Sequence, residues 1–199
     1  MQRIYIKTKL IQLFTLITLL MSSSSIIQAA ELFVLDNQHT SVLWHIKHLG
    51  FSMQSGKWFA DGTMHLDKAN PQKSKVEVII KIADMVTGIP QLDTHLKGKD
   101  FFYVDKFPTA TFISNKVQMT GKETAKVEGI LTLRGVSKPV TLNVTLNKEG
   151  VNPISNKLTA GFSAHAKIKR SDFGITAYLP ALGDEVILDI QAEAKKYTQ

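Results

Sequence analysis

Residues 41–52 read SVLWHIKHLGFS. Val42, Trp44 and Ile46 occupy alternate positions, the period of a strand that buries one face. His45 and His48 lie three positions apart, so in an extended strand their rings leave opposite faces and cannot share a metal ion. The stretch therefore reads as one wall of an apolar interior, with imidazoles along it that the pattern does not need.

Working outward, the same period recurs along most of the chain. Trp58, Ala60, Gly62, Met64 and Leu66 form the next row, followed by Val76, Val78, Ile80 and Ile82, and then by Ala110, Phe112 and Ser114. Val127, Gly129, Leu131 and Leu133 precede Val140, Leu142, Val144 and Leu146, with GVSKP expected as the turn between them. Ala160, Phe162, Ala164, Ala166 and Ile168, then Val186, Leu188, Ile190 and Ala192, complete the rows. Each of these eight segments carries one apolar face opposite a row of Lys, Glu, Asp, Asn and Thr, the pattern of antiparallel strands with one solvated side. Eight such strands close into a barrel or split into a sandwich, and periodicity does not separate the two.

Two segments break the rhythm. In GIPQLDTHLKGKDFFYVDKFP, residues 88–108, Leu92 and Leu96 share one helical face, with Asp93 or Thr94 expected as the cap and Pro108 as a terminator. RSDFGITAYLPALGDE, residues 170–185, is the second. Both are rich in aromatic residues, and insertions of this kind lie across barrel ends as lids.

The first 30 residues have a different purpose. Arg3, Lys7 and Lys9 precede an apolar run from Leu10 to Met21, and small residues follow at Ala29 and Ala30. That is the layout of a secretory signal peptide, with an apolar core well short of the roughly 20 residues a membrane span needs. Residues 31–199 are then expected to form one exported domain. Cleavage takes three of the 24 basic residues and none of the 17 acidic ones, leaving a net charge of +4. So mild an excess reads as a solvated surface and not as a nucleic-acid footprint. The chain has no cysteine, which excludes disulfides, thiolate metal sites and a cysteine nucleophile.

Local signatures of catalysis are missing as well. His39, His65, His95 and His165 are scattered without metal-ligand spacing. GFSAH, at 161–165, lacks the second glycine of a nucleophile elbow. Asp184 and Glu185 read as a turn into the last strand. No residue is nominated as catalytic and no metal ligand is assigned. The inward aromatics fit either a filled core or a cavity wall, and the small inward residues Ala60, Gly62, Ala110, Gly129, Ala160, Ala164 and Ala166 favour a cavity.

Taken together, HTSVLWHIKHLGFSMQSGKW, LKGKDFFYVDKFPTATFIS, VEGILTLRGVSKPVTLNV and RSDFG followed by GDEVILDIQAEA resemble, in order, the segments typical of the YceI-like family of periplasmic polyisoprenoid-binding proteins. Trp44 stands where the family pattern usually has Phe. The resemblance implies a mainly β fold, an eight-stranded antiparallel lipocalin-like barrel with short helical insertions, enclosing an isoprenoid or other long-chain amphiphile. On that reading Trp44, Ile46, Trp58, Met64, Ile80, Phe112, Leu131, Phe162 and Leu188 are expected to line the interior. Phe101, Phe102, Phe107, Phe173 and Tyr178 are expected to line or close its mouth. His48, Asp100 and Arg170 are candidates for a polar head group. The expected partner is a long-chain lipid or isoprenoid quinone-like ligand, with no other cofactor and no nucleic acid; transient membrane contact and a homodimer are both compatible. The rival expectations are an enzyme that modifies an isoprenoid or quinone lipid in the same cavity, with His48 as acid or base, and an envelope protein whose interior is simply full.

Overall fold

The computed structural model describes residues 30–198; the expected signal peptide, apart from Ala30, lies outside them. Nine strands follow one another: β1 (Glu31–Leu35), β2 (Ser41–His48), β3 (Ser52–Leu66), β4 (Lys75–Val86), β5 (Thr109–Met119), β6 (Thr124–Leu133), β7 (Val136–Val151), β8 (Leu158–Lys169) and β9 (Leu182–Lys196). Between β4 and β5 runs one helix, α1 (Pro90–Lys97).

Every pairing is antiparallel, and the ring β2–β9–β8–β7–β6–β5–β4–β3 closes on itself through the β2–β3 hairpin. The choice that periodicity left open is settled as a closed eight-stranded barrel, which leaves no long unpaired edge. The eight expected segments are β2 to β9. The unexpected strand, β1, extends the position of β2, where β3 and β9 run on beyond it: Phe33 lies opposite Met64 and Leu35 opposite Ala194. Fully buried Phe33 packs there with Leu35, Met64, Ala160 and Ala194 as a separate small core.

Connections sort to two ends. The β2–β3 hairpin, the insertion carrying α1, the β6–β7 turn and the β8–β9 insertion cover one, called here the lid end. The 67–74 segment, the β5–β6 and β7–β8 turns and the start of β1 form the other, the base.

Two local expectations are corrected. The β6–β7 turn is not GVSKP but the pair Arg134–Gly135, both at positive φ (52° and 75°), as a tight hairpin turn requires, and Val136–Pro139 already belongs to β7. The helix begins at Pro90, ahead of the expected cap, because proline suits a first helical position where no amide donor is needed. Asp93 instead reaches back to accept hydrogen bonds from the Thr87 amide (2.8 Å) and hydroxyl (2.6 Å), fastening the helix to the end of β4.

Candidate functional site: the barrel interior

The inward rows do not meet in the middle. A lower cavity of about 440 Å³ runs among Met64, Val78, Ile80, Phe112, Leu131, Leu142, Phe162 and Leu188. An upper one of about 540 Å³ lies under the lids among Trp44, Ile46, Leu92, Leu96, Phe101, Phe102, Ile175 and Val186. Trp58, Leu133 and Ile168 belong to both walls and form the waist of the hollow. There Trp58 meets the edge of Phe102 (ring centroids 5.4 Å apart, planes at 87°) and tilts against Trp44 at 6.0 Å. The sizes fall in the range of small-molecule sites.

Small inward residues contribute in two ways. Ala60, Ala110 and Ala164 front the lower cavity and leave space in it. Gly56 and Gly129 instead seat aromatic rings: a Cβ at either would come within 2.5 Å of Trp44 or Phe112 respectively. The ring over the glycine repairs the gap in the strand.

Of the residues expected to line the interior, Met64, Ile80, Phe112, Leu131, Phe162 and Leu188 front the lower cavity, Trp44 and Ile46 the upper, and Trp58 both. Phe101, Phe102 and Tyr178 front the upper cavity from the lids. Phe107 and Phe173 front neither. Phe107 packs edge-on to Tyr103 and beneath Gly135, where a Cβ would lie 2.7 Å from its ring. Phe173 is buried behind the wall, within the main core. Four residues not expected in the wall, Leu92, Leu96, Ile175 and Leu182, also front the upper cavity. Leu92 and Leu96 had a signal in their helical spacing; Ile175 and Leu182 sit in the irregular insertion and had none.

The three polar candidates separate. His48 fronts the upper cavity at its rim. Asp100 is exposed in the α1 insertion and fronts neither cavity. Arg170 fronts the upper cavity, but the residue is 5% exposed and its guanidinium is committed, donating to the carbonyls of Gly183 (2.7 Å), Ile175 (3.0 Å) and Leu182 (3.0 Å). Burial lowers its pKa, and the nearby Asp184 carboxylate opposes that. Asp184 in turn accepts from the Ser171 amide and hydroxyl, which ties the two ends of the β8–β9 insertion to each other.

A second arginine joins the lids. From the β6–β7 turn, Arg134 donates to Gly174 O (2.6 Å) in one insertion and Lys99 O (2.7 Å) in the other. His95, Phe101 and Tyr178 then pack together across the gap, with centroids 5.0 to 6.4 Å apart.

The base is built from charge. Lys68 pairs with Glu31 (3.3 Å) and Glu149, and Lys196 pairs with Glu31 (2.6 Å), bridging β1, the β3–β4 connection, β7 and β9. The Lys196 hydrogen bond, with help from Lys68, outweighs burial and holds the Glu31 carboxyl below its usual range. At the β1–β2 turn, Asp36, His39 and Glu193 bring possible ligand atoms within 4.8 Å of one another. Asp36 is already engaged there by Lys195 (2.6 Å) and His39 (2.9 Å). Burial alone would raise its pKa, yet the Lys195, His39 and Gln38 amide hydrogen bonds bring it down to about 2.

His45 points outward, as the odd spacing from His48 requires. Its Nε2 lies 3.0 Å from Asp189, which also meets His165 at 2.5 Å, and its Nδ1 is 2.6 Å from Ser55 Oγ. This polar chain fronts neither cavity. Within the hollow, Ser114 Oγ accepts from the Val76 amide (2.9 Å), leaving an interior suited to apolar contact.

The YceI-like domain model matches residues 33–194. Protein YceI of Salmonella arizonae is 41% identical over 181 residues, 90% of this chain and 94% of that protein. The Campylobacter jejuni YCEI protein superposes with a TM-score of 0.66 at 33% identity, covering 76% of this chain and 90% of its own. A polyisoprenoid binding domain from Saccharophagus degradans gives a TM-score of 0.63 at 15% identity over 85% of this chain and all of that one, a likeness of fold. With its barrel, its waist of aromatic rings and a match across nearly the whole described length, this chain belongs to the YceI-like family.

Proposed function

We propose that this protein is an exported, non-enzymatic carrier or sequestering protein that holds an isoprenoid or other long-chain amphiphile along the barrel axis, in the periplasm. One observation carries the reading: two apolar cavities stacked in the barrel and sharing Trp58, Leu133 and Ile168 as a common wall, with aliphatic and aromatic side chains contributed from all eight ring positions. Support comes also from the fold shared with a domain described as polyisoprenoid binding.

Energetics fit a chain-like ligand. Burying a methylene is worth about 0.8 kcal/mol, so a chain of some tens of carbons nominally exceeds the roughly 20 kcal/mol ceiling on non-covalent affinity. Ordering the flexible chain offsets much of that, leaving tight retention and slow release. Chemistry on the cargo is not required: the buried polar groups at the walls, Thr40, Asp67, Ser114 and Arg170, are bound to backbone partners.

Extraction of the purified protein into organic solvent followed by mass spectrometry should yield a long-chain amphiphile. Ala164→Leu, which adds volume to the lower wall, should reduce the recovered ligand while leaving stability close to the parent. No amphiphile and no uptake of a lipophilic probe would end the carrier reading. A loss of roughly 1–3 kcal/mol in Ala164→Leu would mark a packed core instead.

A further inference from the structure

The upper cavity reaches the surface between Leu49, Ile89 and Tyr178. These three side chains line it while remaining 47%, 50% and 63% exposed. From this doorway the apolar surface continues outward over the β2–β3 hairpin, where Met53 is exposed and Phe51, at the tip, is 90% exposed. An apolar wall that passes into a mainly apolar rim, interrupted by His48, Gln54 and His95, is an exit for apolar cargo.

We propose that this rim docks on a phospholipid bilayer: the Leu49–Met53 hairpin enters the lipid interface, and cargo passes between bilayer and hollow through the Leu49–Ile89–Tyr178 doorway. The proposal rests on the carrier reading above. Charge agrees with it. Between Asp36 and Asp61 the chain has no carboxylate, and Lys47, directly across the hairpin from Met53, is the nearest charged side chain along it. The acidic groups on neighbouring β9 are engaged, Asp184 by Ser171 and Glu185 by Lys167. An exposed Phe, Leu and Met flanked by lysine is the composition of an interfacial anchor for anionic lipid. A long apolar chain also has its lowest free energy outside the protein in a bilayer, so a doorway pressed against lipid spares it a passage through water.

Exposure alone does not make such a site. Ile154, at the tip of the β7–β8 hairpin, is 92% exposed but fronts neither cavity and sits among Asn152, Ser155 and Asn156 at the base. It is the matched control.

The test is flotation of the protein with vesicles of phosphatidylethanolamine and phosphatidylglycerol. The parent and Ile154→Asp should float alike, while Phe51→Asp should bind about tenfold less or weaker still, the loss expected when one buried aromatic anchor becomes a charge. In a second measurement, Phe51→Trp should be quenched by vesicles containing brominated lipid. Uptake of a fluorescent fatty acid from solution, measured in parallel, should be equal in parent, Phe51→Asp and Ile154→Asp. Absence of that uptake defeats the carrier reading without touching the flotation result. The docking proposal is overturned if the parent does not float, or if Phe51→Asp and Ile154→Asp float equally, which would leave the rim to a protein partner.

Discussion

The two ends of the barrel are closed by different physics. At the base, short turns bring Glu31, Lys68, Glu149 and Lys196 into a chain of ion pairs that spans strands far apart in sequence. At the lid end, long insertions cover the hollow with Leu92, Leu96, Phe101, Phe102 and Ile175, and two arginines fasten them by donating to backbone carbonyls. Charge pairs between strands staple a fixed edge. Apolar lids tied by a few hydrogen bonds make a cover that opens when those bonds do, because the packing beneath it is non-directional. The lower cavity reaches the base as well, where Lys68, Lys122, Glu123 and Glu149 line it, so the contrast is between a charged and an apolar end of the same interior, and it can be broken from either side.

The largest effect belongs to Arg170. Arg170→Met keeps much of the side-chain volume but leaves the Gly183, Ile175 and Leu182 carbonyls without their donor in a buried setting. Each unsatisfied group costs about 1–3 kcal/mol, less whatever water recovers, so a loss of about 3 kcal/mol in urea unfolding is expected. Hydrogen exchange should quicken across 170–183 and leave the base unchanged. Uniform quickening through β1 and β7 would show that the two ends are one cooperative unit.

Acid should act in the opposite place. Asp36 has its carboxyl lowered from 3.8 to about 2, and Glu31 is lowered too. A depressed carboxyl contributes stability that is complete above its unfolded value and disappears as pH falls through the folded one. The Asp36 contribution is therefore present above about pH 4 and lost between about pH 4 and pH 2. For a side chain only 8% exposed, a carboxyl lowered from 3.8 to about 2 corresponds to about 2 kcal/mol. Asp36→Asn should be less stable by about that amount at neutral pH, and the fall in its urea midpoint across this window should be shallower than in the parent. The Arg170 and Arg134 bonds to carbonyls carry no carboxyl and should persist while the base loosens, but Asp184, which burial would raise and the Ser171 amide and hydroxyl hold below its usual range, should release part of the β8–β9 insertion in the same direction of pH.

How much of this was readable in advance follows the range of each interaction. The eight rows were legible because alternation is local: Val42, Trp44 and Ile46 announce their face without reference to any other strand. β1 was not, since five residues carry little pattern and its place depends on β3 and β9, the strands it pairs with. The β6–β7 turn was misplaced because Arg134 at positive φ leaves no trace in its identity. Arg170 could be recognised as a residue of interest, yet its commitment to three carbonyls depends on how the chain from 174 to 183 folds back. The waist was equally hidden, because Trp58 meets Phe102 only after the α1 insertion has crossed the barrel.

The smallest expected effect lies at that waist, between the two ends. The Trp44 indole lies over Gly56, and its buried N–H reaches no acceptor among the described residues; the Trp58 N–H is alike in this. Trp44→Phe removes apolar area and leaves a gap, which costs stability, but also removes a donor whose burial is uncompensated, which restores some. The opposed contributions are each about 1–2 kcal/mol, so the net change in unfolding free energy should stay within about 1 kcal/mol. The freed space adjoins the upper cavity, so the same variant should take up a bulkier lipophilic probe than the parent. A loss of several kcal/mol, with no gain in probe size, would mean that the two tryptophans brace the barrel across its middle, and the independence of lid end and base would fail with them.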